Sequence, residues 1–421
     1  MKFQKETLSN GLRLILAPLN NTQIVTVLFL VGVGSKYETK KINGISHFLE
    51  HMVFKGTKKR PTALKINEVV DKVGGEFNAF TSKEATGFYI KIDKRYLDLA
   101  LDVISDILLN SKFENKEINK ERGVIIEEIN FKQDTPIRQV GDLFEKLLYG
   151  DQPAGWEIIG EKENILKLNR PDILNYFKVH YLANNSILCL AGAINDRIKL
   201  KVDKYFARFE TGQLKNKIKV KEEQIKPQAL VSYKKTDQTH LCLGTRAYDL
   251  FHPDRYALKV LGVILGGNMS SRLFNLVREK YGLAYYIRTN TETYTDSGYL
   301  VTQAGVDNKK VKQVIKLILS EYKKIKKTKV NQTELKKAKD YIKGVSLINL
   351  ETSDEVAHFL ATQEILTRKI LTIEEQFAAI DKVTTRDIER VAQDIFKPSK
   401  LNLAIIGPFE KKEEFAKILS I

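Results

Sequence analysis

Two of the six histidines in this 421-residue chain stand four positions apart, in His47-Phe48-Leu49-Glu50-His51. On an α-helix that spacing stacks both imidazoles on one face, one turn apart, where they can reach a single cation. Glu50 is offset from the pair. It follows His47 by three positions on a neighbouring stripe, so its carboxylate can face a metal-bound water without itself ligating the metal. The order H-x-x-E-H is the inverted zinc motif. Asn43-Gly44-Ile45-Ser46 ahead of it reads as a helix start with Ser46 as the N-cap. Without further ligands, the same residues describe a surface helix with two unrelated histidines and a solvated glutamate.

A zinc hydrolase needs a third protein ligand and leaves the fourth position to water. Glu121 and Glu128 are the carboxylates that qualify. They lie in residues 114–132, which read as a helix, and their seven-residue spacing of about two turns puts both on the same face. The run Gly123-Val124-Ile125-Ile126 is poor in helix propensity, but its apolar members can pack the helix against a sheet. The plain alternative is an ordinary amphipathic helix.

The elements that must hold these residues read as α+β. Strand-like segments (24–33, 75–81, 86–92) mix with helical periods (62–73, 96–109), and Gly74-Gly75 stops the first of those helices. A weak internal repeat has a period near half the chain. Gly87 and Gly298, each ahead of an apolar-periodic helix, are 211 positions apart. Pro171-Asp172-Ile173 and Arg386-Asp387-Ile388, each leading through a helix to a strand, are offset by 215. The expected organisation is a first domain at 1–212, a polar, highly charged linker at 213–227 and a homologous domain at 228–421. Each domain is expected to be a mostly antiparallel sheet packed with helices.

Composition narrows the function classes. At 43% hydrophobic and 29% charged, the chain is of globular type. Its longest apolar stretch, residues 24–33, is too short to span a bilayer as a helix. The start of the sequence shows no cleavable signal pattern, so the cytoplasm is the expected location. Cys189 and Cys242 sit in apolar strand-like segments and are expected to be buried free thiols. The surplus of 69 basic over 52 acidic residues would suit nucleic acid if clustered. The lysine runs at 58–60, 309–312 and 323–327 lack interleaved aromatics, so nucleic-acid binding is not expected.

The words His-Phe-Leu-Glu-His-Met-Val-Phe-Lys-Gly-Thr (47–57) and Glu-Arg-Gly-Val-Ile-Ile-Glu-Glu (121–128), separated as they are here, resemble the signature of the insulinase/pitrilysin superfamily of zinc peptidases. The resemblance is closest to the mitochondrial-processing-peptidase branch and its bacterial relatives, and covers nearly the whole chain. It implies one zinc per chain held by His47, His51 and Glu128, Glu50 as general base, and Glu121 orienting a ligand histidine. Glu127, about 100° off the stripe shared by Glu121 and Glu128, is set aside. In 75–81 the resemblance implies an edge strand on which Asn78 and Ala79 bind an extended peptide. Arg278 and Tyr285, seven apart, resemble the pair that grips the substrate backbone and assists the oxyanion. The implied activity is an endopeptidase or oligopeptidase acting on unfolded peptides in an enclosed chamber, as a homodimer with composite active sites. A non-catalytic, partner-binding subunit of the same fold is the competing expectation.

Overall fold

The computed structural model describes residues 2–195 and 198–421. Grouped by contact, the chain forms two compact units. The first comprises residues 1–130, 157–218 and 347–372, and the second residues 131–156, 219–346 and 373–421.

The first unit is built on a six-stranded sheet of β1 (Gln4–Thr7), β2 (Arg13–Pro18), β3 (Ile24–Val31), β4 (Glu76–Thr81), β5 (Thr86–Asp93) and β6 (Ser186–Gly192), in the order β1-β2-β6-β3-β5-β4. Only β2 and β6 pair in parallel. β3 is apolar without alternation because both of its faces are buried. Val25, Val27 and Phe29 point into the larger core, with helices α1 (Ile45–Met52), α2 (Ala63–Asp71), α3 (Leu97–Leu109) and α4 (Asn115–Gln133). Leu28 and Leu30 point the other way, into a smaller core shared with Val356, Ala357 and Leu360 of the helix Ser353–Thr367.

The second unit repeats the plan. Its sheet of β7 (Gln228–Tyr233), β8 (Gln238–Arg246), β9 (Ala284–Thr293), β10 (Gly298–Asp307) and β11 (Leu401–Gly407) runs β7-β11-β8-β10-β9, with only β7 and β11 parallel. Leu241 and Leu243 face the helices Arg255–Gly266 and Val311–Lys327. Cys242 faces the opposite way, toward Val140, Phe144 and Leu148 of α5 (Pro136–Tyr149). Each sheet therefore carries on its second face a helix that lies in the other half of the sequence.

The half-chain repeat extends to details of capping. Asn169 and Asp172 form a reciprocal capping box at the start of Arg170–His180, and Thr384 and Asp387 form the same box, 215 positions on, at the start of Thr385–Ile395. β6 and β11 follow at that offset. Both sheets are mostly antiparallel and helix-packed, in agreement with the expected fold class. Cys189 and Cys242 are free and buried, as expected. Among the described residues, no helix is long and apolar enough to cross a membrane.

Candidate metal centre

Helix α1 starts differently from the sequence expectation. Its N-cap is Gly44, at φ 98°, and Ser46 lies inside the first turn, where its hydroxyl bonds to that of Tyr176 at 2.9 Å. The exposed amides are capped from a distance in sequence. Glu38, fully buried, accepts the Gly44 and Ser46 N–H groups at 2.8 Å each and the Asn43 amide at 2.9 Å. A carboxylate at a helix N-terminus satisfies orphan donors and meets the positive end of the dipole. Gly44 is required because Ile159 O and the Ile165 side chain lie 2.7 Å from where a Cβ would stand, on a left-handed backbone. Phe48, Leu49 and Met52 anchor the other side of α1 in the core, which leaves His47, Glu50 and His51 on its half-buried face.

Helix α4 lies alongside and presents its carboxylates. Ile118, Ile125 and Ile129 are buried and pack the helix; of the β-branched run, Ile125 is buried and Ile126 partly so, while Val124 is 46% exposed. His47 Nε2 is 3.7 Å from Glu128 Oε1, and His51 Nε2 is 3.7 Å from Glu128 Oε2. One ligand atom from each of the three residues falls within 4.8 Å of the others. A tetrahedral zinc with bonds of about 2.0–2.1 Å needs ligand atoms roughly 3.4 Å apart, so small side-chain adjustments bring this set onto the metal. The Glu128 side chain is 44% exposed, against 12% and 20% for the histidines, so the set is open to solvent on the carboxylate side.

Glu121 does not join the set. It is buried, and its Oε1 accepts a hydrogen bond from His51 Nδ1 at 2.8 Å. Because a carboxylate only accepts, this fixes the Nδ1–H tautomer and leaves the Nε2 lone pair for a metal. Lys55 Nζ reaches Glu121 Oε2 at 2.6 Å. Burial pushes the Glu121 carboxyl up, but the hydrogen bonds from His51 and Lys55 and the lysine charge outweigh it, and its pKa lies below the ordinary glutamate value. Glu127 points elsewhere and accepts from the Asn130 amide at 3.3 Å.

Glu50 accepts a hydrogen bond from Thr81 Oγ1 at 2.5 Å. Burial raises its pKa above the ordinary value, against the pull of the Thr81 hydrogen bond and of His51, while the Glu128 charge adds to the rise. Thr81 ends β4, one of the two edge strands of its sheet. On that strand Asn78 is exposed, its Oδ1 accepting the Ala79 N–H at 2.9 Å, and Ala79 packs against the larger core. In the second unit, Arg278 lies exposed in the π-helical turn Phe274–Lys280, its guanidinium 5.0 Å from the Phe274 ring centre. Tyr285, at the start of β9, is 75% exposed.

Sequence reasoning did not single out Glu38, Lys55 or Thr81. Lys55 follows His51 by four residues but lies beyond α1, which ends at Met52, so helical spacing does not mark it. Glu38 and Thr81 act through contacts that no periodicity encodes.

Residues 13–162 match the family model described as Insulinase (Peptidase family M16), and residues 167–342 match that of the Peptidase M16 inactive domain. An uncharacterized zinc protease of Bacillus subtilis (strain 168) is 34% identical over 96% of this chain and 98% of its own length. One from Streptomyces coelicolor is 33% identical over 97% and 90%. The crystal structure of a protease from Helicobacter pylori superposes with a TM-score of 0.91, at 27% identity, over 97% of this chain and 99% of that one. A Pseudomonas fluorescens structure titled as a peptidase M16 inactive domain shares the fold, with a TM-score of 0.90 at 16% identity and coverage of 98% and 99%. With that extent of similarity to the Bacillus protein and both family models in sequence order, the chain belongs to the insulinase family of peptidases, M16.

Proposed function

We propose that this protein is a zinc-dependent endopeptidase or oligopeptidase that hydrolyses unfolded peptides. The observation that carries the reading is the approach of His47, His51 and Glu128 to one another, with the carboxylate of Glu50 on the same helix face. When bound, zinc supplies Lewis acidity, polarising the peptide carbonyl and making a water acidic enough to lose a proton near neutral pH. Glu50 takes that proton as the water attacks and hands it to the leaving amine. Its raised pKa suits both halves of the transfer. Glu121 holds His51 in the ligating tautomer, and Lys55 holds Glu121.

An extended peptide adds to the free edge of β4, where Asn78 and Ala79 bind its main chain and admit varied sequences. By the family resemblance, Arg278 and Tyr285 of a second copy fix the peptide backbone and donate to the oxyanion, which makes the working species a homodimer with an enclosed chamber. The chamber would spare folded proteins.

The test is digestion of a mixed peptide library read by mass spectrometry. Cleavage should be lost with chelator, return with zinc, and be absent in a zinc-loaded Glu50→Gln protein. Retained cleavage by that variant refutes the assignment of the base. Mixing Glu50→Gln with Arg278→Ala protein should restore part of the activity; no recovery after proven subunit exchange would refute completion by a second copy.

A further inference from the structure

The 2.5 Å hydrogen bond from Thr81 to Glu50 joins the metal helix to the end of the edge strand. Alternation along β4 sets the direction of this side chain. Phe77 and Ala79 pack on the core that holds α1, and Phe80 packs on the opposite one, so Thr81 shares the face of Phe77 and Ala79. Its hydroxyl reaches Glu50 Oε2, one of the two carboxylate oxygens.

The backbone around Thr81 is held from several sides. Ser82 N–H donates to Ala85 O at 2.8 Å, and the Ser82 hydroxyl donates to the same oxygen at 2.9 Å. The strand end is tied to the segment ahead of α1 by Ser35 N–H to Ser82 O and Lys36 N–H to Lys83 O, at 3.2 and 2.9 Å. A Cβ on Gly34 would lie 2.2 Å from Ser82 O, so only glycine permits that approach. Beneath the turn, buried Lys36 pairs with Glu84 at 3.0 Å. A hydroxyl on so fixed a backbone is suited to orienting another group.

We infer that Thr81 is a positioning residue for the proton transfer: its hydroxyl fixes the Glu50 carboxylate in one rotamer through Oε2, which leaves Oε1 to exchange the proton. The inference rests on the reading of Glu50 as general base. A base that wanders by an ångström loses on the order of 100-fold in rate while substrate and metal binding persist. Threonine serves because it donates from a β-branched side chain that also suits a strand end.

The experiment compares Thr81→Val, which keeps shape and removes the hydroxyl, with Thr81→Ser, which keeps the hydroxyl, in the full-length zinc-loaded protein on a peptide found by the library digestion. Thr81→Val should lower kcat by about 10- to 100-fold with KM and zinc content unchanged, and Thr81→Ser should recover to within about 3-fold of wild type. In the Glu50→Gln background, Thr81→Val should change nothing further. Crystal structures of the zinc-loaded valine variant should show Glu50 in more than one rotamer. Wild-type kcat in Thr81→Val, a serine variant as slow as valine, or an unchanged single Glu50 rotamer overturns the inference. Should Glu50→Gln itself stay active, it is the role of the base that fails, a result legible before Thr81 is touched.

Discussion

Lys55, Glu121 and His51 form a chain in which each side chain fixes the next, from ammonium to carboxylate to imidazole. The carboxylate of Glu121 is too deeply placed to be reoriented by water, so its direction depends on the two donors. Removing Glu121 or Lys55 should therefore weaken metal binding without unfolding the helix. Glu121→Gln and Lys55→Met are expected to weaken zinc binding by about 10- to 100-fold, measured by competition with a chromophoric chelator. Lys55→Arg, which restores a cationic donor, should recover most of the affinity. Unchanged affinity in both damaging variants would remove Glu121 and Lys55 from the support of the site. The sequence exposed the spacing of Glu121 but not its partner, because a lysine in a charged chain carries no mark of what it will meet.

Helix α1 is only eight residues long, too short to hold its own ends by propensity, and it depends on what caps it. Glu38 does so from a fully buried position, and burial pushes its carboxyl up to about 7, against the pull of the Ser46 and Gly44 amides and the side chains of Ser46 and Asn43. A pKa raised above the unfolded value means that the folded state holds the proton more tightly. The associated stability is present in full below about pH 4.5 and is lost as the pH rises through about 7. The difference in unfolding free energy between wild type and Glu38→Gln should thus shift against wild type between pH 5 and 8, by a few kcal/mol at most. Chemical denaturation of the metal-free proteins at the two pH values measures it, and a pH-independent difference would show that Glu38 is ionised throughout. The sequence placed the cap at Ser46 because a serine before an apolar run is the local signal. The structure gives that work to a carboxylate six residues before Gly44, since Gly44 alone fits against Ile159 and Gly160.

Across the whole molecule, each sheet receives a helix from the opposite half of the sequence. Leu360, fully buried, packs beneath the sheet of the first unit, although it lies far beyond the polar stretch at 213–227. Leu360→Ala should destabilise that unit by about 2–5 kcal/mol. Hydrogen exchange read by mass spectrometry should then accelerate in β3 and β6 and leave β8 as in wild type. Acceleration in β8 alone would contradict the grouping of contacts.

What the sequence settled by itself was local or periodic. The H-x-x-E-H spacing, the seven-residue step from Glu121 to Glu128, the α+β alternation and the repeat offset of 215 are all written in residue order. They survive folding because a helix or strand converts spacing into direction by its own geometry. Tertiary structure alone decided which carboxylate caps α1, which hydroxyl holds Glu50, and which sheet each exchanged helix covers. These depend on contacts between residues tens to hundreds of positions apart. An apolar helix face states that it will be buried; only the packed chain determines against what.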